Sequence, residues 1–350
     1  VAVKTCCRGC GKMECGVKVI VQNGRAIRVE GDEGAFQSMG NCCTKSQSSI
    51  QAAYHPDRIY HPMKRTNPKG EDPGWQRITW DEAYTYIADE IKRIKDAHGN
   101  RAFFADGGPV SKFLSLYGGY IGHWGTTSRG AWTYTPDVVG IAPQPNEGIN
   151  DRLDMRNSEV VVMFGTNPAW SSAGNPAYHL LQMKKAGAKF VAVDPFYNDS
   201  YALVDAEWIP CRPSTDMALF LGIANAMLEL DGEKGLIDWD YLNAHTVGFD
   251  ADHMPDDAKL SENLKDYVQG VYDGTPKTPE WAEPICGVPP EQVTEFARIL
   301  GKNNKTYLLH NYGMVRCNGS EMIPQMLMAL GAMGGHMGKS GHACGGAYHA

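Results

Sequence analysis

Residues 159–194 read EVVVMFGTNPAWSSAGNPAYHLLQMKKAGAKFVAVD, and this stretch decides the predicted fold. It begins and ends with short apolar runs, EVVVMF at 159–164 and KFVAV at 189–193, which have the composition of buried strands. Between these runs, residues 178–186 have the composition of a helix. A strand, a helix and a second strand in this order are typical of a βαβ unit. We therefore predict a parallel sheet in this part of the chain.

Three further helices are predicted on either side of this unit. Thr79 and Glu82 form a capping box, and apolar residues then recur at helical spacing as far as Gly99. Residues 216–230 form a second helix, and residues 290–300 form a third, which has proline at its start and glycine after its end. Residues 232–284 carry most of the remaining charge and proline, and we expect them to form a solvated excursion.

The overall composition is that of a folded globular protein of about two domains. The chain has 350 residues, of which 43% are hydrophobic and 21% are charged. No apolar run approaches the length of a membrane-spanning helix, and the first residues do not form a signal peptide. The net charge is −7 and there is no basic stripe, so we expect no nucleic-acid partner.

The cysteines are the strongest indication of function. Cys6, Cys7, Cys10 and Cys15 crowd the N-terminus, and a second pair follows at residues 42–43. Residues 16–30 between them read as a β-hairpin that turns at an Asn-Gly pair and returns the chain towards the first group. The spacing lacks the spread of a disulfide framework and favours an iron–sulfur cluster over a zinc site, which remains the alternative.

Polar and glycine residues follow the predicted strands. In an open parallel sheet, ligands bind beyond the carboxyl ends of the strands. Gly165 would let a phosphate approach the backbone, Asp194 could accept hydrogen bonds from ribose, and Thr215 and Asp216 open a helix. Taken singly, each of these residues could merely cap a turn or a helix. The turn at 165–168 is not the GxGxxG of an NAD site, so ordinary NAD binding is not expected.

Two other segments have some features of catalytic or phosphate-binding sites. Residues 122–132 (GHWGTTSRGAW) combine a histidine, three hydroxyls, an arginine and two tryptophans without helical or strand periodicity. Such a loop is as often structural as catalytic. Residues 334–340 superficially resemble a phosphate-binding P-loop, but only three residues separate their glycines, and that motif needs four.

Taken in order, these motifs resemble those of the dimethyl sulfoxide reductase family of molybdenum bis-pterin oxidoreductases, especially its anaerobic, membrane-anchored A subunits. The resemblance runs over nearly the whole chain. After the N-terminal cysteines it is carried by CTK at 43–45, YHPDR at 54–58, PMKR at 62–65, RITWDEA at 77–83, FGTNP at 164–168, VDP at 193–195, WIP at 208–210, RPSTD at 212–216, KTPEWA at 277–282 and GVP at 287–289.

The resemblance implies two cofactors and the residues that hold them. A [4Fe–4S] cluster would be held by Cys7, Cys10, Cys15 and Cys43, with Lys45 between the cluster and the pterin on the electron path. Ser128 would ligate molybdenum. Molybdenum bis(molybdopterin guanine dinucleotide) would be bound by Gly165, Thr166, Asn167, Pro168, Asp194, Pro195, Ser214, Thr215, Asp216 and Arg316.

Some details depart from the family pattern. The gap between Cys10 and Cys15 is one residue longer than usual, so Cys6 could replace Cys7, and Cys42 competes with Cys43. Thr126 and Thr127 flank Ser128, so the molybdenum ligand could shift by one residue. Phe196 stands where many members of the family have arginine, and Ser214 where most have glycine. Family members are also much longer than this chain.

The expected fold class is α/β, with a small β-rich iron–sulfur domain followed by two α/β domains with Rossmann-like parallel sheets. The iron–sulfur domain spans 1–62, an interrupted α/β domain spans 63–150 and 305–350, and the domain that binds the pterin dinucleotide spans 151–304. The family's C-terminal pterin-binding domain is not expected within this chain, which reads as a fragment.

The resemblance implies a molybdopterin-dependent oxidoreductase that takes an oxygen atom from an S-oxide or N-oxide in a two-electron reaction. His123 or Trp124 would hydrogen-bond the bound oxygen. Reductive dehydroxylation of aromatic substrates or hydroxyl transfer between them is the alternative within the family, and a zinc-bearing scaffold subunit is the alternative outside it. An iron–sulfur electron-transfer subunit and a membrane anchor subunit are the expected partners. The expected location is the periplasmic side of the cell envelope, with the cytoplasm as the alternative.

Overall fold

The computed structural model describes residues 1–9, 15–35, 38–122, 130–131, 152–171, 176–310 and 312–347. Of the residues that the sequence singles out, Cys10, His123, Trp124, Thr126, Thr127 and Ser128 lie outside these ranges. The chain divides into two compact units, one formed by residues 1–47 and 127–350 and the other by residues 48–126. No helix among the described residues is long and apolar enough to cross a membrane.

The N-terminus forms a three-stranded antiparallel sheet. Its strands β1 (Ala2–Cys6), β2 (Gly16–Gln22) and β3 (Arg25–Gly31) lie in that order. The predicted hairpin is present, with positive φ angles of 51° at Asn23 and 75° at Gly24 that suit a tight turn. A Cβ atom added at Gly31 would overlap the carbonyl oxygen of Gly40, so the chain returning from β3 packs closely against that strand. Helix α1 (Thr44–Gln47) follows this loop.

The second unit contains helices α2 (Ser49–Ala53), α3 (Trp80–His98) and α4 (Gly108–Leu116), and a short ribbon formed by β4 (Met63–Lys64) and β5 (Gln76–Arg77). The predicted capping box is present, because Thr79 Oγ1 accepts a hydrogen bond from Glu82 N at 3.2 Å and Glu82 Oε2 accepts one from Thr79 N at 2.7 Å. Helix α3 ends at His98, one residue before the predicted stop at Gly99.

A five-stranded parallel sheet forms the centre of the first unit. Its strands are β6 (Val160–Phe164), β7 (Lys189–Val193), β8 (Glu207–Ile209), β9 (Thr306–His310) and β10 (Ala343–Ala347). They lie in the order β10-β9-β6-β7-β8, and every neighbouring pair is parallel. The predicted βαβ unit is confirmed, with β6 at the middle of the sheet and β7 beside it.

Helices cover both faces of this sheet. They are α5 (Pro168–Ser171), α6 (Pro176–Lys185), α7 (Asp199–Val204), α8 (Asp216–Lys234), α9 (Trp239–His245), α10 (Leu264–Val268), α11 (Pro279–Cys286), α12 (Pro290–Ile299) and α13 (Ile323–Met333). Alternate side chains of β6 enter different cores, as strand geometry requires. Phe164 packs against Phe220 and Phe296 on one face, and Met163 joins the cluster around Leu180 on the other.

The segment expected to be a solvated excursion, residues 232–284, is instead partly core. It forms α9, α10 and most of α11, and its side chains Ile237, Leu242, Phe249 and Val268 are buried. Each short helix here contributes only one or two apolar residues. The helical periodicity is therefore too brief to stand out among the prolines and charges.

The strand pairing divides the chain differently from the predicted domains. The sequence predicts that residues 305–350 belong with 63–150, but β9 pairs with β6 from Val160 to Phe164 and carries β10 on its other edge. Hydrogen-bonded neighbours in one sheet share a core, so this C-terminal segment groups with residues 151–304. The N-terminal residues 1–47 belong to the same compact unit.

Burial of His336 predicts an acid-sensitive contribution to stability. Its Nε2 lies 2.8 Å from the Leu300 carbonyl and its Nδ1 lies 3.0 Å from Nδ1 of His342, with Lys339 and Asp238 nearby. Burial lowers the pKa of His336 from 6.5 to about 4. Between pH 6.5 and 4, His336 is therefore protonated in the unfolded chain and neutral in the folded chain. The free energy of unfolding should fall as the pH drops through this range.

We expect this loss to reach roughly 3 kcal/mol in the free energy of unfolding. A His336→Gln variant can still donate a hydrogen bond to Leu300 and has no proton to gain. Chemical denaturation across this pH range should therefore give a flatter profile for the variant than for the parent protein. Parallel profiles for the two proteins would contradict the assignment to His336.

Candidate functional site

The first candidate site is the N-terminal cysteine region. The backbone N–H of Cys7 donates to the carbonyl of Cys15 at 2.8 Å, and the N–H of Gly9 lies 3.4 Å from Cys7 Sγ. A Cβ atom at Gly9 would lie 3.6 Å from Cys7 Sγ and 3.7 Å from the carbonyl oxygen of Lys45. The structure thus brings Cys7, Cys15 and the first turn of α1 together, with Lys45 in that turn.

Cys6 and Cys42 are the alternatives to Cys7 and Cys43 as cluster ligands. Cys6 is the last residue of β1, pairs with Gly16 and is exposed. Cys42 Sγ lies 4.0 Å from the carbonyl of Val29 and 3.8 Å from Nε2 of Gln47, so it is turned towards β3. Which cysteine of each pair binds the cluster stays a prediction, with Cys7 and Cys43 as the predicted ligands. Within the described ranges, which omit Cys10, no three His, Cys, Asp or Glu side chains converge on a single metal position.

The second candidate site lies at the carboxyl edge of the parallel sheet. Gly165 follows β6 with a φ of 52°, and its N–H donates to the carbonyl of Val193 at 2.9 Å. A Cβ atom at Gly165 would lie 3.2 Å from the backbone nitrogen of Met314. A Cβ atom at Gly313 would overlap the carbonyl oxygen of Gly165. The loops after β6 and β9 therefore meet backbone to backbone, a contact that only small residues permit.

Asp194 is held in place directly after β7. One carboxylate oxygen accepts from the N–H of Phe196 at 2.9 Å and the other accepts from the Tyr201 hydroxyl at 2.9 Å. The same hydroxyl accepts from the N–H of Thr166 at 3.3 Å. Burial raises the pKa of the Asp194 carboxyl above its usual value. Tyr201 therefore links the loops that follow β6 and β7, and Pro195 directly follows the fixed carboxylate.

A second set of hydrogen bonds fixes the loop after β6. Asn167 Oδ1 accepts from the Ser200 hydroxyl at 2.6 Å, and Asn198 Nδ2 donates to the carbonyl of Thr166 at 3.1 Å. Pro168 then begins α5. The hydroxyl of Thr166 is buried and has no partner within the described protein. A buried hydroxyl of this kind suits a place where a bound molecule completes the hydrogen bonding.

The loop after β8 brings a second carboxylate to the same edge. Ser214 has a φ of 64°, the left-handed conformation that the family's glycine would adopt without strain. The Thr215 hydroxyl donates to the carbonyl of Arg212 at 2.7 Å, and Asp216 is the first residue of α8. Burial raises the pKa of Asp216 to about 6, and the negative charge of Asp194 adds to this effect. The two carboxylates therefore lie close enough to interact.

Arg316 lies at the same edge, in the loop after β9. It is exposed, and its guanidinium lies 4.8 Å from the ring centroid of Tyr312. The structure therefore gathers the predicted cofactor residues from four loops, after β6, β7, β8 and β9. The edge offers carboxylates, a guanidinium and the N-terminus of the 19-residue helix α8. Carboxylates can accept from ribose and base N–H groups, and a guanidinium can bind phosphate. This donor and acceptor set fits a dinucleotide.

Three residues of this edge escaped the sequence analysis. Tyr201, Asn198 and Gly313 position the loops, but none belongs to a motif, and their contacts join segments that are distant in sequence. The Asn-x-x-Tyr spacing at 198–201, with asparagine capping α7, was the available signal.

Replacing Asp216 by asparagine should stabilise the cofactor-free protein. The folded-state pKa of about 6 exceeds the ordinary value of 3.8, so the folded chain holds an extra proton between these values and its stability falls as the pH rises through them. The asparagine variant lacks this penalty. We expect it to exceed the parent in free energy of unfolding by roughly 1–3 kcal/mol above pH 6.

The same comparison at about pH 4 provides the control, because Asp216 is then largely protonated in the folded chain. Denaturation curves of the two proteins should nearly coincide there. An advantage for the variant that does not depend on pH would show that charge on Asp216 is not its cause. If the edge binds a dinucleotide through this carboxylate, the more stable variant should retain less cofactor on purification.

Two sequence models of known families match this chain. The model of the molybdopterin oxidoreductase family matches residues 58–239, and the model of the molybdopterin oxidoreductase Fe4S4 domain matches residues 1–55. The second match covers the cysteine region described above. It supports a [4Fe–4S] cluster over the zinc alternative, and the first match supports a molybdenum cofactor.

Individual relatives agree with these models. The chain is 80% identical over 233 residues to dopamine dehydroxylase of Eggerthella lenta, covering 65% of this chain and 23% of that protein. It is 32% identical over 365 residues to dimethyl sulfoxide reductase DmsA of Haemophilus influenzae, covering 96% of this chain and 44% of that protein. The chain thus spans less than half the length of these relatives.

A solved structure shares the fold. Acetylene hydratase from Pelobacter acetylenicus superposes with a TM-score of 0.75 at 20% sequence identity, over 97% of this chain and 44% of that one. The predicted α/β class with a small β-rich N-terminal region is confirmed.

Proposed function

Because the chain belongs to the molybdopterin oxidoreductase family, we propose that it forms part of the catalytic chain of a molybdenum reductase that removes a hydroxyl oxygen from an aromatic acceptor. One observation carries this choice of acceptor. The identity of 80% to a protein named dopamine dehydroxylase is far above the 32% to a dimethyl sulfoxide reductase.

The proposed reaction is a two-electron reduction that balances as ArOH + 2e⁻ + 2H⁺ → ArH + H₂O. The bound molybdenum cofactor would supply the electron pair and the Lewis acidity that weakens the carbon–oxygen bond. The chain's own residues would bind the cofactors, orient the acceptor and deliver protons.

The residues have separate proposed tasks. Cys7, Cys10, Cys15 and Cys43 would hold the cluster, with Lys45 beside it in α1. Gly165 and the loop after it would let the cofactor approach the backbone, while Asp194 and Asp216 would accept hydrogen bonds from its nucleotide ends, in the guanine dinucleotide form. Ser128 is the proposed molybdenum ligand, and His123 and Trp124 are proposed to hydrogen-bond the leaving oxygen.

Electrons must reach the cluster from outside this chain. An iron–sulfur electron-transfer subunit is the proposed donor, and a membrane anchor subunit is the second proposed partner. This proposal rests on the presence of a one-electron carrier domain at residues 1–55.

A second candidate reaction is reduction of an S-oxide or N-oxide. It is favoured by the match to dimethyl sulfoxide reductase over 96% of this chain, a longer match than that to the dehydroxylase. Both reactions remove one oxygen atom with two electrons and two protons, so the same cofactors would serve either.

A substrate panel on the full-length protein, purified without oxygen, tests the proposal. A reduced viologen dye would supply electrons, and mass spectrometry would detect products from dopamine, other catechols, dimethyl sulfoxide and trimethylamine N-oxide. We expect dopamine or another catechol to lose one oxygen and the oxides to react slowly. Rapid reduction of the oxides with no dehydroxylation would replace the proposal by the second candidate. A Ser128→Ala variant provides the control and should lose activity on every acceptor.

A further inference from the structure

A polar cleft lies among helices α8, α11 and α12. It has a volume of about 570 Å³, within the range of small-molecule sites. Its polar groups come from Asn225 and Glu229 of α8, Gln269, Thr278, Glu280 at the start of α11 and Thr294 of α12. Alanine, leucine and proline side chains complete its walls. Mixed apolar walls with a few convergent polar groups are typical of a ligand site.

Asn225 is the group that points to a ligand. It is 3% exposed and lies in the most buried part of α8, between Ala224 and Ala226. No other side chain or backbone group among the described residues hydrogen-bonds its amide, although it lines the cleft. Part of its amide remains accessible from the cleft, so a ligand bound there can hydrogen-bond it.

The rim of the cleft is negatively charged. Glu229 and Glu280 are both exposed, and neither forms an ion pair within the described part of the chain. Lys277 does not line the cleft, and its ammonium is paired with Asp273 Oδ2 at 2.6 Å. The carboxylates of Glu229 and Glu280 and the neutral amide of Asn225 line one cleft. Such a cleft favours a positively charged molecule that can also form a hydrogen bond.

We propose that this cleft binds a small organic amine, with its ammonium group between Glu229 and Glu280 and a second polar group bonded to Asn225. The site is separate from the proposed cofactor edge. Asp216 and Asn225 are nine residues apart on one straight helix, which corresponds to about 14 Å. Both sites contact α8, so this helix connects the cleft with the cofactor edge.

Calorimetric titration of the full-length, cofactor-loaded protein tests the proposal. The probe is 1,4-diaminobutane at low ionic strength, and 1,4-butanediol is its neutral match. We expect binding of the diamine alone, weakened by added salt. Glu229→Gln and Glu280→Gln should each weaken it by about two- to fivefold. Glu283→Gln removes a carboxylate from the same helix α11 outside the cleft and should change nothing.

Asn225→Ala separates a ligand role from a structural one. Removing a buried amide without a partner should leave the unfolding midpoint unchanged or higher, while the diamine binds about three- to tenfold more weakly. The proposal is overturned if the parent protein does not bind the diamine, if the diol binds equally well, or if none of the three cleft variants alters binding. A lower unfolding midpoint of Asn225→Ala with unchanged affinity would also overturn it.

Discussion

Replacing Cys43 by alanine is expected to destroy the four-iron cluster, whereas replacing Cys42 should preserve it. Cys43 directly precedes α1, the helix whose first turn lies beside Cys7. Cys42 is turned towards the carbonyl of Val29 and Gln47 instead. Without its fourth thiolate the intact cluster cannot form, so iron should fall below about four atoms per chain. Turnover should fall by more than about a hundredfold, because electrons then lack a route to the active site.

The matched variants Cys7→Ala and Cys6→Ala extend this test to the other ambiguous pair. Iron analysis and visible absorption of full-length protein, purified without oxygen, provide the measurements. We expect the Cys7 variant to lose the cluster and the Cys6 variant, altered at an exposed strand end, to retain it. If the Cys43 variant kept four irons and the Cys42 variant lost them, Cys42 would be the cluster ligand and Cys43 would not.

Replacing Gly313 by alanine is expected to disrupt the sheet edge and cost about 3–5 kcal/mol in the free energy of unfolding. The new methyl group would overlap the carbonyl oxygen of Gly165. That oxygen cannot move away easily, because the backbone at Gly165 is fixed. The N–H of Gly165 is hydrogen-bonded to the carbonyl of Val193, and the preceding residue, Phe164, is fully buried. The loops after β6 and β9 would have to separate, and the proposed cofactor residues at this edge would separate with them.

Gly232→Ala provides the matched control, since it makes the same chemical change within α8 where a Cβ atom meets nothing within 4 Å. It should stabilise the protein by up to about 1 kcal/mol through helix propensity. The denaturation midpoint should therefore fall in Gly313→Ala and rise slightly in Gly232→Ala, and molybdenum content should fall only in Gly313→Ala. Equal free energies of unfolding for the two variants would contradict the prediction, because the loops after β6 and β9 could then separate without loss of stability.

Local patterns predicted the elements well, because their causes lie within a few residues. The Asn23-Gly24 turn, the capping box at Thr79 and the strand that ends at Phe164 all depend on near neighbours. The molybdopterin oxidoreductase family and the oxidoreductase class are likewise confirmed, by motifs that survive in order along the chain.

Contacts between distant segments could not be predicted in this way. The bond from Tyr201 to Asp194 and the approach of Gly313 to Gly165 depend on the folded sheet, which no window of sequence contains. For the same reason, the sequence alone predicts β9 to lie in the domain formed by 63–150 and 305–350. The specific cofactor ligands among Cys7, Cys10, Cys15, Cys43 and Ser128 remain predictions.

The pairing of β6 with β9 has a consequence for synthesis on the ribosome. Val160 pairs with Thr306, so 146 residues must be translated after the first strand emerges before its partner exists. At typical bacterial rates this interval lasts roughly 7–30 s. Throughout it, one edge of an apolar strand stays open to other chains. We expect nascent chains arrested within this interval to recruit chaperones, and those arrested after β10 to release them.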